Sequence, residues 1–334
     1  MPAGRFAPSP SGPLHLGNLR TALLAWLFAR SDGSGFLVRI EDLDPQRSRP
    51  EHERAQLDDL RAIGIDWDGE PVRQSERTPL YRDALARLEA DGRVYPCWCT
   101  RAEIQAAAEA PHGPLPEGAY PGTCRRLTAA QRADRARGAG RPPSLRLAAD
   151  RETTADREIA ADRETETLPS GERIAAHPSE ENVSALRIAF EDRLHGRVEG
   201  AVDDFVLWRW DDTPAYNLAV VVDDAEQGVG EVVRGDDLLD STLRQLLLYR
   251  LLDRPAPAHA HVPLVLGPDG ARLAKRHGAV TLADRVALGE TPTDALSWMA
   301  SSVGLTEPGE RVSAPELVDR FDPAALTRQP TVFG

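Results

Sequence analysis

Apolar residues recur at helical spacing over 18–30 (Asn-Leu-Arg-Thr-Ala-Leu-Leu-Ala-Trp-Leu-Phe-Ala-Arg), which predicts a helix with Asn18 as its cap and Gly33 as its stop. Residues 35–40 read as a buried strand, and 51–63 and 79–92 as amphipathic helices. Strand and helix thus alternate through residue 92, as in a parallel, doubly wound α/β sheet. The alternation breaks down between 94 and 200, where the cysteines appear, and this predicts a separate inserted module. It resumes with strands predicted at 204–210, 218–222 and 230–233, then a helix over 243–252 capped by the side chains of Asp240-Ser-Thr. Within the insert, Ala-Asp-Arg-Glu begins at 149, 155 and 161, a spacing of six that suits neither a helix face nor a strand face. Mixed charge and few apolar residues make 150–183 an expected disordered surface insertion.

A chain of 334 residues, 41% hydrophobic, can bury the core of one α/β body with one or two smaller attachments. No apolar run is long enough to span a bilayer, and Met-Pro-Ala-Gly-Arg lacks the apolar stretch of a signal peptide, so a cytoplasmic location is expected. The net charge of −13 argues against indiscriminate nucleic-acid binding, because the acidic body as a whole repels phosphate. A nucleic-acid partner would need a local basic face. Arg125, Arg126, Arg132, Arg135, Arg137 and Arg141 could provide one, or could form an ordinary solvated face.

Arg5-Phe-Ala-Pro-Ser-Pro-Ser-Gly-Pro-Leu-His15-Leu-Gly17-Asn18 reads as a strand, a proline-stiffened loop and a helix opening on His15 and Gly17. Unsatisfied N–H groups and the helix dipole favour an anion there, and Gly17 admits a phosphate where a Cβ would obstruct it. Alone, the motif could be an ordinary surface turn. Near the other end, His261-Val-Pro-Leu-Val-Leu-Gly-Pro-Asp-Gly270 leads into Arg272-Leu-Ala-Lys275-Arg276, a turn followed by a mobile cationic segment. Together the two motifs suit a nucleoside triphosphate, with Lys275 closing over it to stabilise the pentavalent transition state and departing pyrophosphate. Ligands of doubly wound sheets sit at the carboxyl ends of strands. Glu41 and Asp42 directly follow the strand ending at Ile40, whereas Tyr216 would enter from the start of the 218–222 strand or its preceding turn.

With these residues in view, the chain resembles the class I aminoacyl-tRNA synthetases in their glutamyl branch. The motifs that carry the resemblance are Pro-Ser-Pro-Ser-Gly-Pro-Leu-His-Leu-Gly, Arg39-Ile-Glu-Asp-Leu-Asp44, Trp67-Asp-Gly, Gln74-Ser-Glu-Arg77, Tyr216-Asn-Leu-Ala, Arg234-Gly-Asp-Asp237 and the Lys275 loop. Within that branch it is most similar to the subfamily acting on queuosine. The resemblance implies activation of L-glutamate by ATP with Mg2+, without tRNA, and transfer to queuosine in the anticodon loop of tRNA(Asp). It implies ATP contacts from His15, Gly17, Asn18 and Lys275, and a glutamate pocket of Arg5, Ser9, Glu41, Tyr216 and Arg234. Glu41 would take the ammonium and the arginines the carboxylates, with the arginine that reads the side chain left open. Arg5 and Glu41 could instead form a structural ion pair. Asp223-Asp224 and Asp236-Asp237 could be magnesium ligands or, preferably, helix caps. Two positions depart from the pattern: Asn18 stands where many class I enzymes have a second His, and Ala274 where the loop usually has Ser.

Cys97, Cys99 and Cys124 are the only cysteines, and an odd number in a cytosolic chain argues against a disulfide framework. Three thiolates and one further ligand would complete a tetrahedral, structural zinc site. Ligand chemistry nominates His112 as the fourth, because a phenol must lose a proton at pKa ~10. The resemblance implies Tyr120, since Tyr120-Pro-Gly-Thr-Cys124 matches its Tyr-x-x-x-Cys spacing; His112 is the fallback.

The expected plan is a Rossmann-type catalytic domain split into 1–92 and 201–258, an acceptor-type zinc module at 93–200, and a C-terminal segment at 259–334 carrying the Lys275 loop, the whole acting as a monomer. The stretch after Arg276 falls short of the ~100 residues an anticodon-binding domain needs. That expectation disfavours a truncated glutamyl-tRNA synthetase, and retention of His15, Gly17, Glu41 and Lys275 disfavours a catalytically silent glutamate- or ATP-binding paralogue.

Overall fold

The computed structural model describes residues 2–108, 119–149 and 186–333; the 150–183 stretch and His112 lie outside the described residues. The chain opens with β1 (Gly4–Phe6), α1 (Leu16–Ser31), β2 (Phe36–Ile40), α2 (Pro50–Ala62), β3 (Val72–Arg73) and α3 (Thr78–Ala90). The next elements are β4 (Val94–Cys97), α4 (Arg101–Ala108), α5 (Ala129–Ala139), β5 (Ser144–Leu147), β6 (Leu186–Asp192), β7 (Gly196–Val202) and β8 (Val206–Trp208). After these come α6 (Tyr216–Glu226), β9 (Glu231–Gly235), α7 (Leu239–Leu251), β10 (Ala258–Val262) and β11 (Val265–Leu266). The C-terminal elements are α8 (Leu282–Ala287), α9 (Pro292–Ser301), α10 (Ala314–Arg320) and β12 (Thr331–Val332).

The fold is α/β with mixed sheets. β1 pairs in parallel with β2, and β2 with β3, in the registers Gly4↔Phe36 and Arg39↔Val72. Ala3 bridges Val229 in parallel and so sets β1 beside the start of β9, which pairs in parallel with β10 from Ala258↔Glu231 to Val262↔Gly235. The strand order therefore reverses between β1 and β9, and a crevice opens at their carboxyl ends, the place where such sheets take ligands. β6 joins β10 in parallel at His259↔Asp192 and carries β7 as an antiparallel hairpin. β4, β5 and β8 form a separate antiparallel sheet.

Helix α1 lies at the centre of the larger core, with Leu19, Leu23, Leu24 and Leu27 wholly inaccessible. Each such leucine removed from water contributes roughly 1.5–3 kcal/mol. No helix among the described residues is long and apolar enough to cross a membrane.

Four local expectations are corrected. Residues 218–222 are not a strand but the body of α6, where Leu218, Ala219, Val220, Val221 and Val222 are all buried. Enclosure on every side removes the amphipathic period that distinguishes a helix from a buried strand, and packing overrides the strand preference of three valines. The strand expected at 204–210 shrinks to Val206–Trp208 and runs antiparallel to β5. Helix α7 starts at Leu239 with no side-chain cap, and the Thr242 hydroxyl serves another purpose described below. The cap of α1 is His15, not Asn18, although Gly33 does take up a left-handed φ of +66° beyond the helix end.

Candidate active site

The carboxyl ends of β1, β2 and β9 and the start of α1 surround a cavity of about 700 Å³. Arg5, Ser9, Glu41, Tyr216 and Arg234 line it together with His15, Gly17, Asn18 and Lys275. Residues separated by more than 200 positions thus share one space, because β1 and β9 adjoin.

The phosphate-type end is built on the first turn of α1. The Asn18 amide donates to His15 Nδ1 at 3.2 Å, and the His15 amide donates to Asn18 Oδ1 at 3.3 Å. This reciprocal box satisfies two N–H groups of the turn and leaves the remaining proton of a neutral imidazole on Nε2. Burial, aided by the Arg272 charge, pulls His15 down to about 4, so it is a neutral donor at pH 7. A Cβ on Gly17 would lie 3.0 Å from His15 Nδ1 and 3.2 Å from Val265 Cβ. Close packing against the imidazole and Val265 therefore favours glycine there, independently of any phosphate. The proline-rich loop is held by Gln56, a buried residue of α2 whose Nε2 donates to the carbonyls of Ser9 at 3.0 Å and Gly12 at 2.7 Å. Lys275 Nζ stands 3.7 Å from the position a Gly12 Cβ would occupy. Its loop is tied back by Arg272 to Asp237 at 2.5 Å and by Asp269 to Arg276 at 3.3 Å and His277 at 3.1 Å.

The other end is a field of paired and unpaired charges. Arg5 does not pair with Glu41; its Nε meets Asp224 at 3.4 Å and its Nη1 donates to the Val233 carbonyl at 3.5 Å. Glu41 faces Arg39 at 3.7 Å, and burial nevertheless pushes its carboxyl up to about 7 against the pull of Arg39 and Arg5. Arg39 itself bonds Asp224 at 2.6 Å and Gln227 at 2.9 Å. Asp223 accepts from Gln74 at 2.8 Å, Arg77 at 2.6 Å and Tyr81 at 2.8 Å. Asp223 and Asp224 are thus neither caps nor arranged as magnesium ligands; both sit inside α6 and anchor buried arginines. Asp237 is occupied by Arg272, and Asp236 opens a short 3-10 turn.

Arg234 differs from Arg5 in having no carboxylate partner among the described residues. Its guanidinium donates to His261 Nε2 at 3.1 Å, Thr242 Oγ1 at 2.7 Å and Tyr216 Oη at 3.4 Å. Burial pushes its pKa down, the mark of a cation short of a counter-charge. Tyr216 reaches the cavity as the first residue of α6, not from a strand.

Sequence reasoning missed Gln56 and Asp192, read Thr242 only as a helix cap and His261 only as the start of a motif, and placed Asp223 and Asp224 in the wrong role. A polar residue on the apolar face of α2, beside Leu57 and Leu60, was the available signal for Gln56.

The three cysteines converge with Tyr120 in the separate sheet module. Their sulfurs lie within 4.8 Å of one another, with Cys99 and Cys124 at 3.5 Å. Tyr120 Oη is 3.4 Å from Cys97 Sγ and 3.6 Å from Cys99 Sγ, and accepts the Cys124 amide at 2.7 Å. A tetrahedral ion with metal–sulfur bonds of ~2.3 Å and metal–oxygen of ~2.0 Å needs edges of roughly 3.5–3.8 Å, which the Cys99–Cys124, Tyr120–Cys97 and Tyr120–Cys99 spacings match. Hydrogen bonding with Cys99 and Tyr120 pulls the Cys97 thiol well below its ordinary value. The Arg146 guanidinium lies 3.8 Å over the Tyr120 ring, while burial and the neighbouring Cys97 push the Tyr120 phenol up, so a bound metal would have to displace its proton. Four of the nearby arginines are taken up locally: Arg135 by Glu103 at 2.8 Å, Arg125 by Asp204 at 3.5 Å, Arg137 by Asp134, and Arg141 by the Trp98 carbonyl at 3.0 Å.

Comparison with known proteins accords with this site. A family model for tRNA synthetases class I (E and Q), catalytic domain, matches residues 3–163 and 180–333, breaking inside the 150–183 stretch. A glutamyl-Q tRNA(Asp) synthetase of Nocardia farcinica is 55% identical over 99% of this chain and 93% of its own length. A glutamate–tRNA ligase of Geobacter sulfurreducens is 38% identical, and this chain spans 63% of its length. Among solved structures, a glutamate tRNA ligase of Elizabethkingia meningosepticum in complex with its amino acid superposes with a TM-score of 0.75 at 26% identity, covering all of this chain and 67% of that one. The chain belongs to the class I tRNA synthetases for glutamate and glutamine, through their catalytic domain, and is a ligase of that family.

Proposed function

We propose that the protein activates L-glutamate with ATP, without tRNA, and transfers it to queuosine in the anticodon loop of tRNA(Asp). The observation that carries this reading is the cavity in which a neutral His15 at a helix N-terminus and Lys275 share the wall with Glu41, Arg5 and Arg234, the further Arg272 and Asp237 being paired with each other. Glutamate has the complementary groups, an ammonium for Glu41 and two carboxylates for Arg5 and Arg234. Arg5 already shares Asp224, so the unpaired Arg234, with Tyr216 beside it, reads the side-chain carboxylate. An oxygen of the glutamate α-carboxylate attacks the α-phosphorus of ATP, the bond to the bridging oxygen breaks, and pyrophosphate departs. His15 Nε2–H and Lys275 stabilise the charge that develops on the phosphates. A hydroxyl of the queuosine cyclopentene-diol then attacks the mixed anhydride and AMP leaves. Magnesium would enter on the ATP phosphates.

The doubly wound, Rossmann-type sheet supplies the site, split by the module at 93–200. Cys97, Cys99, Tyr120 and Cys124 would hold one zinc ion, and four protein ligands make it structural. The chain would act as a cytoplasmic monomer. The acceptor follows from likeness in sequence, which is greater to the relative named for queuosine-bearing tRNA(Asp) than to the glutamate–tRNA ligase. The test compares tRNA(Asp) carrying queuosine with tRNA(Asp) carrying guanosine, and maps radiolabelled glutamate. Label on queuosine alone is expected. Transfer to the unmodified tRNA or to the terminal adenosine would replace this reading with 3′-end charging.

A further inference from the structure

Arg234 is oriented by a chain of three buried groups outside the cavity. Asp192 ends β6, His261 lies on β10, and Thr242 stands in the first turn of α7; all are buried. Asp192 Oδ2 lies 2.6 Å from His261 Nδ1, and Asp192 Oδ1 accepts the amides of Leu194 and His195, each at 3.0 Å. A carboxylate can only accept, so the imidazole carries its proton on Nδ1 and presents Nε2 as a bare acceptor. That acceptor takes Arg234 Nε–H at 3.1 Å and faces the Thr242 hydroxyl at 3.1 Å, while the same hydroxyl accepts from Arg234 Nη2 at 2.7 Å.

We infer that Asp192 and His261 are positioning residues that orient Arg234 for the substrate carboxylate without neutralising it. The reasoning is electrostatic. A carboxylate placed directly on Arg234 would fix its plane but offset the charge that must select a carboxylate over a carboxamide. An interposed neutral imidazole fixes the plane and leaves the charge unmatched. Burial holds His261 down at about 4, so it remains that neutral spacer. The inference rests on the glutamate reading given above.

Three variants test it by glutamate-dependent ATP–pyrophosphate exchange. His261→Asn removes the acceptor for Arg234 and is expected to raise KM for glutamate about 10- to 100-fold, the cost of a lost hydrogen bond to a charged group, with KM for ATP unchanged. His261→Gln restores an acceptor oxygen at the Nε2 position and is expected to recover most of that loss. Asp192→Asn keeps the oxygen that holds the turn but offers Nδ1 a donor, which forces the imidazole proton onto Nε2 against Arg234 Nε–H, and is expected to raise KM for glutamate likewise. Glutamate KM within twofold of wild type in both His261→Asn and Asp192→Asn overturns the inference. Nitrogen-15 NMR of the ligand-free protein gives a reading that needs no substrate: His261 protonated on Nδ1 is expected, and protonation on Nε2 overturns the relay. Absence of glutamate-dependent exchange in the wild type removes the proposed function instead, and leaves the tautomer reading intact.

Discussion

Arg39 Nη1 and Asp224 Oδ1 meet at 2.6 Å where neither side chain is more than 1% exposed. Arg5 shares that carboxylate at 3.4 Å, so one residue of α6 holds two arginines beneath the cavity. Removing one partner of a buried pair leaves an uncompensated charge and costs about 3–5 kcal/mol. Asp224→Asn is therefore expected to lower unfolding free energy by that amount in guanidinium chloride melts. A loss below about 1 kcal/mol would show that neighbouring groups re-partner the two guanidiniums.

Glu41 supplies the pH dependence. Its carboxyl titrates at about 7 in the free protein, and an ammonium bound beside it stabilises the charged form. Glutamate affinity is thus full above pH 7 and lost as pH falls through 7, by about tenfold per unit until the pKa of the complex is reached. His15, down at about 4, does not titrate in that window. We expect KM for glutamate to rise on going from pH 8 to pH 6, and the slope to vanish in Glu41→Gln. A flat profile in the wild type would place the ammonium elsewhere.

Charge on the loop should matter at one position and not at its neighbour. Lys275 lines the cavity, whereas Arg276 turns to Asp269 at the surface. Lys275→Ala is expected to slow ATP–pyrophosphate exchange by about 100-fold or more, and Arg276→Ala by much less. Wild-type-like exchange in Lys275→Ala would take the loop out of the chemistry.

The cysteine cluster calls for one zinc ion per chain by elemental analysis. Tyr120→Phe and Cys124→Ser should each lower occupancy, because each removes one corner of the tetrahedron. Full occupancy in Tyr120→Phe, with loss in His112→Ala, would reassign the fourth ligand to the imidazole.

What the chain determined by itself was local. The helix start at His15-Leu-Gly17 and the strand that ends just before Glu41 follow from short-range spacing, because turns, caps and strand ends are set by neighbouring residues. Ligand chemistry alone points to His112, and it is the resemblance that singles out Tyr120, which the structure sets against Cys97 and Cys99. The glutamyl motifs likewise named the residues that line the cavity. Packing decided the rest. A run of three valines became helix α6 because it is enclosed on every side, which erases the period that sequence reading uses. Enclosure also turned Asp223 and Asp224 inward onto Arg39, Arg5 and Arg77, since a buried carboxylate must find a cation. Asp192, Thr242 and His261 stand far apart in the chain and carry no motif that joins them. They meet at Arg234 only because β6 lies along β10, β10 along β9, and α7 begins where β9 ends, so that long-range strand pairing and not local spacing sets the surroundings of that cavity-lining guanidinium.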